Sequence, residues 1–64
     1  MNELEKETLT AVMDYRRAVL NLRQTNKYNP DAITTAHQWI ANAETRLGFY
    51  ADQLLKQAET LNQN

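Results

Sequence analysis

Ile33, Ala36, Ile40, Ala43, Leu47, Tyr50, Leu54 and Leu61 fall along one stripe of a helix. Apolar residues recurring at steps of three and four mark one buried face of an α-helix. The stripe requires a helix of more than thirty residues, roughly 45–50 Å long at 1.5 Å per residue. Its start is written into Asn29-Pro30-Asp31. Asn is a good N-cap, and Pro at the first helical position forfeits only an N–H that would lack a partner anyway. Asp31 adds negative charge where the helix dipole favours it. Gly48 lies inside the stripe's span. It costs about 1 kcal/mol relative to Ala, too little to break the helix, and is read as the mark of a close approach by a neighbour.

The first half of the chain carries a matching stripe. Leu4, Thr8, Ala11, Tyr15, Ala18 and Leu22 recur at alternating steps of four and three. Glu3, Glu5 and Glu7 crowd its first turns, while Arg16, Arg17, Arg23 and Lys27 occupy its second half. Acid first and base last complements a helix dipole. The predicted elements are a helix over residues 2–26, a turn over 27–29 and a second helix over 30–61. Together they form a single helical-hairpin domain. One Gly and one Pro leave little punctuation for strands, so the class is all-α.

Two long helices joined by a short turn pack as an antiparallel hairpin. Residues that face each other then have a nearly constant sum of residue numbers. Layers summing to 58 pair Leu22 with Ala36, Ala18 with Ile40, Tyr15 with Ala43, Ala11 with Leu47 and Thr8 with Tyr50. Each joins a large side chain to a small one, which lets the helices interdigitate. Thr25 with Ile33 is similar, and Leu4 with Leu54, near the open end, is the exception with two large side chains.

A chain of 64 residues without cysteine has no disulfide or thiolate metal site to support so small a core. The hairpin also leaves apolar side chains over: Leu9, Val12, Met13, Val19 and Leu20 on the first helix, and Ala51, Leu55 and Ala58 on the second. Apolar burial is worth about 25 cal/mol per Å². Pairing two hairpins as a two-fold homodimer, a four-helix bundle, is the expected way to recover it. These eight residues are the expected dimer interface.

Little points to catalysis. His37 is the only histidine, and Ile33 and Ala41 stand four residues to either side, so no i,i+4 metal pair exists. The carboxylates are scattered among lysines and arginines, and no phosphate-binding glycine loop or metalloprotease motif occurs. No enzyme activity, metal or cofactor is expected. Net charge is -1 and no apolar run approaches a membrane span, so a cytoplasmic protein is expected. The opening Met-Asn-Glu-Leu-Glu-Lys-Glu is acidic and lacks the apolar core of a signal peptide.

Two surface features bear on partners. Arg16, Arg17, Arg23 and Lys27 concentrate positive charge on one half of the first helix. As a functional patch they would contact RNA or DNA phosphates. As ordinary surface they would pair with Asp14, Asp31 or Glu44, and the negative overall charge favours that. Trp39, Tyr28 and Phe49 are the other feature. Trp39 is expected to seal the hairpin's edge and Tyr28 to pack over the turn. Phe49 lies among Asn42, Thr45, Gln53 and Lys56, so it is expected either to anchor a partner protein or to enter the dimer interface.

Some resemblances follow from these residues. In length, lack of cysteine, helical content and its Met-Asn-Glu-Leu-Glu opening, the whole chain resembles the small early-region regulatory proteins of lambdoid phages. That implies a regulatory role in phage development through contact with host or phage factors. The hairpin-pair architecture is similar to a small plasmid copy-number regulator that binds paired RNA loops, an analogy of fold alone. Sporulation aspartyl-phosphate phosphatases of hairpin form carry Ser-Gln-Glu-Leu-Asp on their second helix. Here that region reads Ala36-His37-Gln38-Trp39-Ile40 and lacks the acids. The expectation is therefore a small non-catalytic dimeric regulator or adaptor acting through protein–protein contacts, with nucleic-acid binding through the basic residues as the alternative.

Overall fold

A computed structural model describes residues Met1–Asn62. It contains two helices, α1 (Glu3–Gln24) and α2 (Pro30–Asn62), packed against each other as a hairpin. Its extents are 55 × 17 × 13 Å, the length of α2 by the width of two helices side by side.

The start of α1 is fixed by a capping box. The Glu5 N–H donates to Asn2 Oδ1 at 2.8 Å, and the Asn2 N–H donates to Glu5 Oε1 at 3.2 Å. Two backbone donors at the helix end are thereby satisfied. α1 stops two residues earlier than the sequence reading, because Thr25 leaves the helical region at φ −73°, ψ 137°. Its N–H still donates to the Leu22 carbonyl, and its hydroxyl donates to the Asn21 carbonyl. Both bonds use carbonyls that a helix end leaves open.

α2 begins at Pro30, where the Asn-Pro-Asp signal put it, and Asn29 Oδ1 accepts from the Ala32 N–H at 3.1 Å. In the turn between the helices, the Tyr28 and Asn29 N–H groups donate to Asn26. Tyr28 does not pack over this turn. It is 81% exposed, with the Lys27 ammonium 5.3 Å from its ring centroid. A side chain at the tip of a hairpin turn has no second layer to fold against.

The core is a row of small residues. Ala11, Ala18, Ala36, Ala43 and Thr8 are the buried residues among those described. They are the small members of the five layers summing to 58. The large members Leu22, Ile40, Tyr15, Leu47 and Tyr50 are half-buried beside them. Alanines spaced seven apart on both helices let the backbones approach closely, and the larger side chains lie along the edges of the seam. Thr8 is accommodated there because its hydroxyl donates to the Leu4 carbonyl at 2.8 Å. Two surface hollows fit this register. One brings Leu54 together with Met1, Glu5 and Thr8, and the other brings Asn21 and Thr25 together with Ala32, Thr35 and Ala36.

α2 has 33 residues and α1 has 22, so the end of α2 runs past the start of α1. Leu61 belongs to the stripe by spacing but is 70% exposed, because no residue of α1 reaches it. Gly48 also departs from expectation. A Cβ built there meets nothing within 4 Å, so no neighbour in the hairpin approaches it closely. It is a notch in the surface of α2.

Candidate interaction surface

The hairpin has two unlike flanks. The first follows the positions just after the buried alanines. On α1 it carries Leu9, Val12, Arg16, Val19 and Arg23, at steps of three and four. On α2 it carries His37, Ala41, Glu44, Gly48, Ala51, Leu55 and Ala58, at steps of four and three. In an antiparallel pair these positions lie on the same side. The hollow shared by Glu5, Thr8, Leu9, Val12 and Leu54 opens on this side. Met13 and Leu20 border the α1 row on its outer edge.

This first flank carries exposed apolar side chains between Arg16, Arg23, His37 and Glu44. Leu9 is 48% exposed, Val12 44%, Met13 48%, Leu20 38% and Leu55 60%. Val19 and Ala51 are half-buried, and Ala58 is exposed on the overhanging part of α2. Seven of the eight residues expected at a dimer interface thus adjoin one another along the hairpin. Ala58 stands apart, beyond the reach of α1.

The second flank is mostly polar. Asp14 lies just before Tyr15 of the seam, and Trp39 just before Ile40. The Trp39 indole N–H donates to Asp14 Oδ1 at 3.4 Å across the hairpin. This fits the expectation that Trp39 seals the edge, although 37% of it remains exposed. The contact also engages Asp14, one of the carboxylates considered as a partner for the arginines. Phe49 lies on this flank too. It is 59% exposed, and its ring meets Tyr50 edge-on with centroids 5.3 Å apart. Phe49 and Trp39 are ten residues apart, roughly 15 Å along α2, so they are two separate features and not one aromatic patch.

The basic residues are exposed, but the helix divides them. Arg16 and Arg23 share one line on the apolar flank. Arg17 is rotated about 100° away, as neighbours on a helix are. Lys27 sits in the turn over Tyr28. The four do not converge on one point. His37 is exposed on the first flank. Among the described residues, no three His, Asp or Glu side chains gather closely enough to hold a metal ion. No helix among them is long and apolar enough to cross a membrane.

The sequence reading missed the Asn2–Glu5 capping box and the Asp14–Trp39 contact. The first had a signal, Asn followed three residues later by Glu. The second had none, since a bond between residues 25 apart depends on register and rotamer. No known protein family, curated protein or solved structure matches the chain.

Proposed function

We propose that this chain is half of a homodimeric four-helix bundle that acts, without catalysis, as a cytoplasmic regulator or adaptor through protein–protein contacts. The observation that carries the reading is the mismatch between core and surface. No large side chain is fully buried among the described residues, while five large apolar residues on or bordering one flank are 38–60% exposed. A hairpin whose buried residues are four alanines and a threonine has little burial to set against roughly 1–2 kcal/mol of backbone entropy per ordered residue. A second copy applied to the apolar flank would bury the surplus and complete a core with large side chains in it.

The opposite flank would then stay outside the bundle. Phe49 is the exposed apolar side chain there and is the proposed anchor for a partner protein, with Trp39 as a separate, weaker contact. A role in phage development rests on the whole-chain resemblance described above. The test is capture of binding proteins from nuclease-treated lysate by the intact chain and by Phe49→Gln. A protein retained in stoichiometric amount by the first and lost with the second supports the adaptor reading. No such protein, together with a low-salt mobility shift of RNA or DNA abolished by Arg16→Ala and Arg23→Ala, would replace it with the nucleic-acid alternative.

A further inference from the structure

The apolar flank can be closed by a second copy in two ways, and they differ in which helices meet. With the two turns at the same end, α1 of each copy lies against α2 of the other. With the turns at opposite ends, α1 lies against α1 and α2 against α2. Resting on the dimer reading above, we propose that the copies pair with their turns at the same end.

Charge placement is the first argument. Arg16 of α1 and Glu44 of α2 both lie on the apolar flank and are exposed. Within the 58 register, Arg16 is level with residue 42, about 3 Å along the axis from Glu44. The same-end arrangement therefore sets Arg16 across from the partner's Glu44, and the two-fold axis makes that contact twice. The opposite-end arrangement pivots near the middle of the apolar row Leu9–Leu20, at residues 14–15. Arg16 then meets its own copy within about 5 Å along the axis, and Glu44 meets its own copy as closely. Like charges set together in an interface weaken association. The opposite-end arrangement gains one favourable pairing, Arg23 with the partner's Glu5. That pairing sits at the rim, and Glu5 already accepts the Asn2 N–H in the capping box.

Shape is the second argument. The α1 row is bulky where the facing part of the α2 row is small: Leu9 and Val12 against Gly48 and Ala51. Leu9 is level with residue 49. The same-end arrangement thus aims each Leu9 at the notch left by the partner's Gly48, where a Cβ would meet nothing within 4 Å in the hairpin. Opposite-end pairing sets bulky on bulky and small on small.

The chain has no cysteine, so Lys27→Cys carries a single spin label in the turn, away from the proposed contact. Dipolar spectroscopy on the labelled dimer should give a separation of about 20 Å, two helix diameters. A separation of roughly 40 Å, twice the distance from the pivot to the turn, would overturn the same-end arrangement and leave the dimer intact. A monomer in sedimentation, with no dipolar signal, would overturn both. Charge reversal gives an independent readout. Arg16→Glu and Glu44→Arg should each weaken association about tenfold, and the double variant should restore it. In the opposite-end arrangement like already meets like in the unmodified dimer and in every one of these variants, so single variants that associate as tightly as the unmodified chain, or a double variant that fails to restore association, contradict the proposal.

Discussion

Leu9 and Phe49 make a matched pair for testing which flank is sticky. Both are large, apolar and exposed, Leu9 at 48% and Phe49 at 59%. A simple count of exposed apolar surface would rank Phe49 as the greater liability. The structure puts them on opposite flanks, and only Leu9 belongs to the flank that carries Val12, Val19, Ala51 and Leu55. Full burial of a leucine side chain is worth about 1.5–3 kcal/mol. About half of that is already realised in the hairpin, so each Leu9 has about 1 kcal/mol left to gain. Two-fold symmetry counts it twice, giving about 2 kcal/mol, or roughly 30-fold in the dissociation constant. Leu9→Gln should therefore weaken association about 30-fold, measured by sedimentation equilibrium over a range of concentrations. Gln keeps a good helix propensity, so circular dichroism at concentrations that keep the dimer intact should retain its helical signal. Phe49→Gln should leave association within about twofold, because its flank is outside the bundle. Equal loss from both variants, or none from Leu9→Gln, would refute the assignment of flanks.

Three further outcomes follow from the seam and the caps. Ala18 is fully buried against α2, so Ala18→Leu should overpack the seam and lower stability by about 1–3 kcal/mol, read as an earlier urea midpoint. Asn2→Ala removes the acceptor of the Glu5 N–H and should cost about 1 kcal/mol, with faster amide hydrogen exchange confined to the first turn of α1. A cysteine pair at positions 18 and 40 should cross-link readily under mild oxidation, while a pair at 17 and 40 should not. Equal cross-linking would mean that the 58 register is wrong.

Much of this fold is legible in the residues because it depends on short-range chemistry. Asn29, Pro30 and Asp31 set the start of α2 through groups within three residues of one another. The alternating stripes fix which faces meet, and their small members became the buried row. What could not be read depends on where the chain runs out of neighbours. Leu61 continues the stripe perfectly well, but α1 begins at Glu3 and ends the cover before reaching it. Tyr28 is a large aromatic at a turn, yet a hairpin offers no layer beneath it. A glycine inside a helical stripe suggests a close approach, yet within one hairpin Gly48 faces open space. That a notch lies on the apolar flank is a three-dimensional fact, visible only once both helices are placed.

The surface was less legible than the core. The exposed positions obey no period that distinguishes a dimer contact from a partner contact. Val12 and Arg16 share a flank because of helical geometry, and Arg16 and Arg17 are parted by it. A cluster of basic residues along the sequence therefore became three separate placements on the molecule.

The proposed bundle places the apolar flank against a second copy. Sedimentation equilibrium of the unmodified chain at micromolar concentration tests it directly. It should show a species of twice the 7.4 kDa chain mass, giving way to the monomer on dilution. A single species of 7.4 kDa across that range, with the helical signal intact, would contradict it.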